Sequence, residues 1–184
     1  MNSSGTKGTS SPRPARRFSD FIAHESRQHY ILICLLLWSI LSFMVISRYV
    51  LGAVQVQGRS MEGTLHDGDR RVVNHWIYFF REPRRGEMVV LNDHIDSSLC
   101  VKRIIALPGE LIEFNAGMVF IDGQRLAEPY LATGIRTTPL KFGTRPIRLQ
   151  KDQFFVLGDN RDDSVDSRIY GALQRRDIIG VIGQ

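Results

Sequence analysis

The 184-residue sequence predicts one modest, mainly β domain carried behind a single N-terminal transmembrane helix. Two observations predict it. Residues 30–47 form an 18-residue run without a charge, and after residue 52 the chain changes to short stretches rich in Val, Ile and Phe, broken by Gly, Pro and Asp. No helical stripe of three or four turns follows the first run.

Residues 1–17 are rich in Ser, Gly, Thr, Pro and Arg and hold almost nothing to bury, so ordering them would cost entropy without return. Residues 1–29 are therefore expected to be a basic, disordered tail. The apolar run spans roughly 27 Å as a helix, Arg48 can snorkel, and Tyr49 to Leu51 extend it, which gives a transmembrane segment over 30–52. Five basic residues in the tail put the N-terminus in the cytoplasm and residues 53–184 outside. A buried core helix and a cleavable signal peptide are the competing readings. The 29 residues ahead of the run and the lack of Ala-x-Ala after it speak against the second.

The net charge of +5 divides unevenly. Before residue 53 there are six basic and two acidic residues, whereas the remaining 132 residues carry 18 basic and 17 acidic. A nucleic-acid-binding domain should hold its basic excess on the folded part, so no nucleic-acid partner is expected. Cys34 lies in the apolar run and Cys100 near Lys102, a spacing that suggests neither a disulfide nor a metal site. No metal and no cofactor is expected.

Strands are expected at 54–57, 71–75, 87–92, 100–106, 118–121, 146–149, 154–158 and 178–182, with a turn at Asp122-Gly123. Residues 126–144, with weak periodicity, read as a loop or small subdomain laid over the sheet.

Three segments carry candidate chemistry. In VQVQGRSMEGTLHDGD a strand runs into a Gly-flanked turn that presents Ser60, with Gly58 leaving room for a closely approaching chain. By itself this is equally a plain turn serine. In CVKRIIALPGE, Lys102 and Arg103 are neighbours within an apolar run, and strand alternation directs one of them inward. A lysine buried there loses hydration and its pKa falls toward the range of a general base, which arginine cannot match. Snorkelling from an edge strand is the other outcome for Lys102. In FFVLGDNRDDSVDSRIYG a wholly apolar strand ends in a loop dense with Asp, Ser, Arg and Asn, able to supply a hydroxyl to an amine and Asp–Arg pairs to hold a wall.

These segments resemble the signature boxes of bacterial type I signal peptidases: the Ser60-Met61 turn, the Lys102-Arg103 strand ending in Leu-Pro-Gly, and the loop Gly-Asp-Asn-Arg-Asp-x-Ser-x-Asp-Ser-Arg over 158–168. A fourth box, Arg-Gly-Asp followed by Val-Val, is matched by Arg85, Gly86, Glu87, Val89 and Val90. Order and spacing agree from residue 30 to the end.

The resemblance implies an antiparallel β-sheet catalytic domain whose apolar face lies against the bilayer of the bacterial cytoplasmic membrane. It implies a membrane-bound serine endopeptidase that removes signal peptides from exported preproteins. Ser60 would be the nucleophile and neutral Lys102 the general base. Ser164 would position the lysine, Asp166 and Arg168 would support the site, and Asp159 would be the acid at the start of the loop. The Ser60 N–H would be one oxyanion donor. Some members add a serine hydroxyl at the position held here by Gly58, so another donor must serve, and one missing donor costs about 3 kcal/mol. Val56, Gln57, Gly58 and Met61 match positions bordering the substrate pockets, beside which an extended chain pairs as an added strand. Gly63 stands where the family usually has proline, a variation that touches no reacting group.

Three rivals stay open at this level. A Ser-His enzyme would need His66, His75 or His94, since His24 and His29 precede the membrane segment. A membrane-tethered module could hold extended chains without cutting them. A specialised Ser/Lys peptidase could serve one dedicated substrate, such as a conjugation pilin.

Overall fold

The computed structural model describes residues 16–49, 51–92 and 98–183, with side chains described over 29–46, 52–92 and 98–183. Residues 1–15 of the expected tail, and His94, lie outside the described residues.

The chain divides into two compact units, 1–46 and 47–184. The first contains most of α1, Arg16–Tyr49. This helix starts well ahead of Tyr30, so residues 16–29, expected within the disordered tail, are helical. The physical reason is local: the stretch has no Gly or Pro, includes good helix formers such as Ala23, Glu25 and Gln28, and follows Pro14. Residues 29–46 of α1 are long and apolar enough to cross a membrane, and none of that window is buried within the protein. A buried core helix therefore finds no support.

The second unit holds, in chain order, β1 (Leu51–Gln55), β2 (Arg70–Asn74), α2 (Ile77–Phe80), β3 (Met88–Asn92), β4 (Leu99–Ala106), β5 (Leu111–Asn115), β6 (Met118–Ile121), β7 (Gln124–Arg125), β8 (Ile147–Arg148), β9 (Gln153–Leu157), α3 (Ser167–Tyr170), β10 (Leu173–Gln174) and β11 (Ile178–Ile182). The strands build a seven-stranded sheet, ordered β1-β2-β11-β3-β4-β9-β10, and a four-stranded sheet, ordered β7-β6-β5-β8. The paired strands described in both sheets run antiparallel. The Asp122-Gly123 turn joins β6 to β7 with both residues at positive φ, the backbone of a tight hairpin.

The long apolar runs follow from cover on both faces. Along β9, Phe154 and Val156 enter a cluster with Val89, Leu91 and Ile104, while Phe155 and Leu157 enter another with Ile112 and Val119 of the small sheet. Met88 and Val90 point into a third cluster with Val56, Met61 and Leu65. Central strands buried on both faces lose the polar alternation of a half-exposed sheet. The segment 126–144 contains no strand or helix and is tied down by Thr137, whose N–H donates to Gly117, and Phe142, whose N–H donates to Arg168.

Candidate active site

Past β1 the chain makes a sharp bend at Gly58, whose φ of +87° is a region that L side chains avoid. The Gly58 N–H donates to Asp67 Oδ1 at 2.8 Å, so that donor is already engaged. A helical turn follows, closed by bonds from the Thr64 and Leu65 N–H groups to the Met61 carbonyl. Met61 and Leu65 are buried and act as its pegs, leaving Ser60 half-buried at the head of the turn. Asn160 fastens that turn to the 158–168 loop: its N–H donates to the Ser60 carbonyl and its Nδ2 to the Arg59 carbonyl, each at 3.0 Å.

Lys102 sits opposite Val89 on β4 and is only 3% exposed. It shares with Ser60 a cleft of about 520 Å³ that Gln57, Gly58, Cys100 and Asp163 also line. Alternation was expected to bury one of Lys102 and Arg103, yet both are buried, because β4 is covered on each side. Arg103 Nε and Nη2 donate to Asp159 at 2.9 and 2.6 Å, Nη1 donates to the Gly86 carbonyl at 2.8 Å, and the guanidinium stacks 4.0 Å over Tyr130. Asp159 Oδ2 also accepts from the Thr64 hydroxyl at 2.6 Å. Such added bonds are what a buried ion pair needs to offset its desolvation. Burial, with the Glu128 carboxylate, pushes the Tyr130 phenol up, so it stays a neutral donor to Glu128.

In the loop, Arg168 grips fully buried Asp166 through Nε and Nη2 at 2.9 and 2.8 Å, and Asp166 also accepts from the Gly158 N–H at 3.1 Å. Arg161 reaches Glu128, Thr137 and the Gly158 carbonyl and so binds the loop to the 126–144 segment. Gly158 is held so tightly that an added Cβ would press on Ser164 and come within 2.5 Å of the Ser60 carbonyl oxygen.

The structure thus brings Ser60, Lys102, Gln57 and Gly58 to one cleft, with Asp159, Asp166 and Arg168 behind it. Val56 and Met61 do not reach the cleft wall. They point into the core, 4% and 1% exposed, because the chain needs both to seat the turn that carries Ser60. The Ser164 hydroxyl is buried and makes no hydrogen bond among the described residues, so the bond expected to Lys102 is not present. His66 and His75 do not line the cleft, and His75 instead packs over Gly52. A larger cavity of about 840 Å³ holds Arg103 rather than Lys102, and three of its four guanidiniums are already bound to Glu87, Glu110 and Asp159.

Sequence reasoning passed over Thr64, Asn160 and Gly158. Gly158 and Asn160 left a trace as members of the 158–168 signature loop, but without a role of their own.

Against known proteins, the family model described as signal peptidase, peptidase S26, matches residues 27–183. Signal peptidase I P of Bacillus subtilis subsp. natto is 36% identical over 157 residues, 82% of each chain. Signal peptidase I T of Bacillus subtilis strain 168 is 35% identical, covering 71% of this chain and 70% of its own. A crystal structure of a signal peptidase I from Enterococcus faecalis V583 aligns with a TM-score of 0.49 at 27% identity, over 56% of this chain and 98% of that one. The family match and the relatives from Bacillus subtilis make the chain a serine endopeptidase, a hydrolase. It belongs to the signal peptidase family, peptidase S26.

Proposed function

We propose that this protein removes signal peptides from exported preproteins, with Ser60 as nucleophile and Lys102 as general base. The observation that carries the reading is a lysine withdrawn from water in the same cleft as a turn serine. Burial disfavours the ammonium form, and an uncharged amine can take the Ser60 proton as the hydroxyl attacks the scissile carbonyl. The Ser60 N–H serves the developing oxyanion. Gly58 supplies no hydroxyl and its N–H is bound to Asp67, so the second donor comes from elsewhere or from the substrate's own surroundings. Ser164, with its buried hydroxyl unsatisfied, is held in reserve for the amine.

The substrate lies extended in the cleft beside Gln57 and Gly58. Helix α1 spans the bacterial cytoplasmic membrane once with its N-terminus inside, which leaves the β domain outside. The exposed ridge of Trp76, Phe79 and Phe80 on and beside α2 suits the lipid headgroup region, where aromatic side chains collect. Incubating wild type, Ser60→Ala and Lys102→Ala with a labelled preprotein in detergent tests the reading. Wild type cuts and both variants lose the activity by roughly a hundred- to ten-thousandfold. Binding without cutting by wild type would instead favour the tethered-binder reading.

A further inference from the structure

We propose that Asp163 is a specificity residue that favours a cationic side chain next to the cut in the substrate. The inference rests on the peptidase reading above and adds a selectivity to it. In the 158–168 loop the signature leaves two positions unspecified, and here they are Asp163 and Val165. Both line the Ser60 cleft. Three of the charged specified members of the same loop are held in ion pairs: Asp159 with Arg103, Arg161 with Glu128, and Asp166 with Arg168. These three pairs build the wall, whereas Asp163 and Val165 face what enters.

Charge decides what Asp163 selects. It is exposed and has no ion-pair partner among the described residues. Arg59, an exposed cation that lines the same cleft, feels the Asp163 charge but is bonded to Glu62 at 2.8 Å. Lys102 is buried. An incoming Lys or Arg therefore meets an uncommitted carboxylate, whereas an incoming Asp or Glu meets that carboxylate and a guanidinium already satisfied. An exposed ion pair is worth about a two- to fivefold difference in kcat/KM.

The test uses the full-length protein in detergent and one preprotein with Lys or Glu placed in turn at each position flanking the cut. At one or two positions wild type should cleave the Lys form about two- to fivefold faster than the Glu form. Added salt should shrink that ratio. Asp163→Asn should bring it to about one and Asp163→Lys should reverse it. A ratio of one at every position in wild type, or a ratio that survives in Asp163→Asn, overturns the proposal. If wild type cuts none of these substrates, including the unsubstituted preprotein, the peptidase reading fails and takes this inference with it.

Discussion

Arg103 holds Asp159 through two hydrogen bonds of 2.9 and 2.6 Å, and that pair joins β4, which carries Lys102, to the start of the loop that carries Ser164. The Thr64 hydroxyl adds the Ser60 turn to the same carboxylate. Three segments far apart in sequence thus share one buried anchor. Asp159→Ala leaves Arg103 buried without its partner and should cost about 3–5 kcal/mol in urea unfolding. Thr64→Val removes a single bond to a charged acceptor and should cost about 1.5 kcal/mol. The double variant should fall short of the sum, since both act on one carboxylate.

Ser164 separates a positioning role from a structural one. Its buried hydroxyl makes no hydrogen bond among the described residues, so Ser164→Ala should leave stability unchanged or slightly raised. Preprotein cleavage should nevertheless fall if the hydroxyl orients the Lys102 amine. Full activity in Ser164→Ala would remove the residue from the site.

Gly158→Ala should fail for the opposite reason. The new methyl would push against Ser164 and the Ser60 carbonyl, so the backbone under both must move. The expected result is a loss of about 1–3 kcal/mol together with lower activity. Thermal melts and cleavage rates on one preparation check both.

Gly63 adopts a φ of +99°, which proline, locked near −65°, cannot reach. Placing at position 63 the proline expected from the family resemblance should therefore destabilise this chain by more than about 1 kcal/mol. An unchanged or higher melting temperature in Gly63→Pro would contradict this.

Glu87 carries a pH dependence of stability. Burial works to raise its carboxyl, but bonds from Arg81, the Arg84 N–H and Tyr78 outweigh it and hold the group below its usual 4.5. A depressed folded pKa means that this stabilisation is complete above the unfolded value and is lost as pH falls through the folded one. Melting temperatures of wild type should therefore drop more steeply in acid than those of Glu87→Gln.

Much of this was legible in the sequence because the functional segments are also the most patterned ones. β4, β6, β9 and β11 announce themselves by β-branched and aromatic runs, and the 158–168 loop by its charge density. β7 and β10 are two residues long and carry no alternation to read. In β5 only Ile112 is fully buried, so Leu111–Asn115 lacks a clean inward face. Val56 and Met61 were assigned to the cleft by position in a motif, but the turn needs them as core pegs, and a motif does not state which way a side chain points. The burial of both Lys102 and Arg103 depends on what covers β4, which is set by residues far along the chain.

The pH dependence of kcat/KM for preprotein cleavage tests most directly whether a dehydrated Lys102 amine drives the chemistry. Cleavage should rise with pH along a single ionisation well below that of a free lysine, about 10.4. Any residual activity of Lys102→Ala should lack that limb. A limb that persists unchanged in an active Lys102→Ala protein would assign the base to another group.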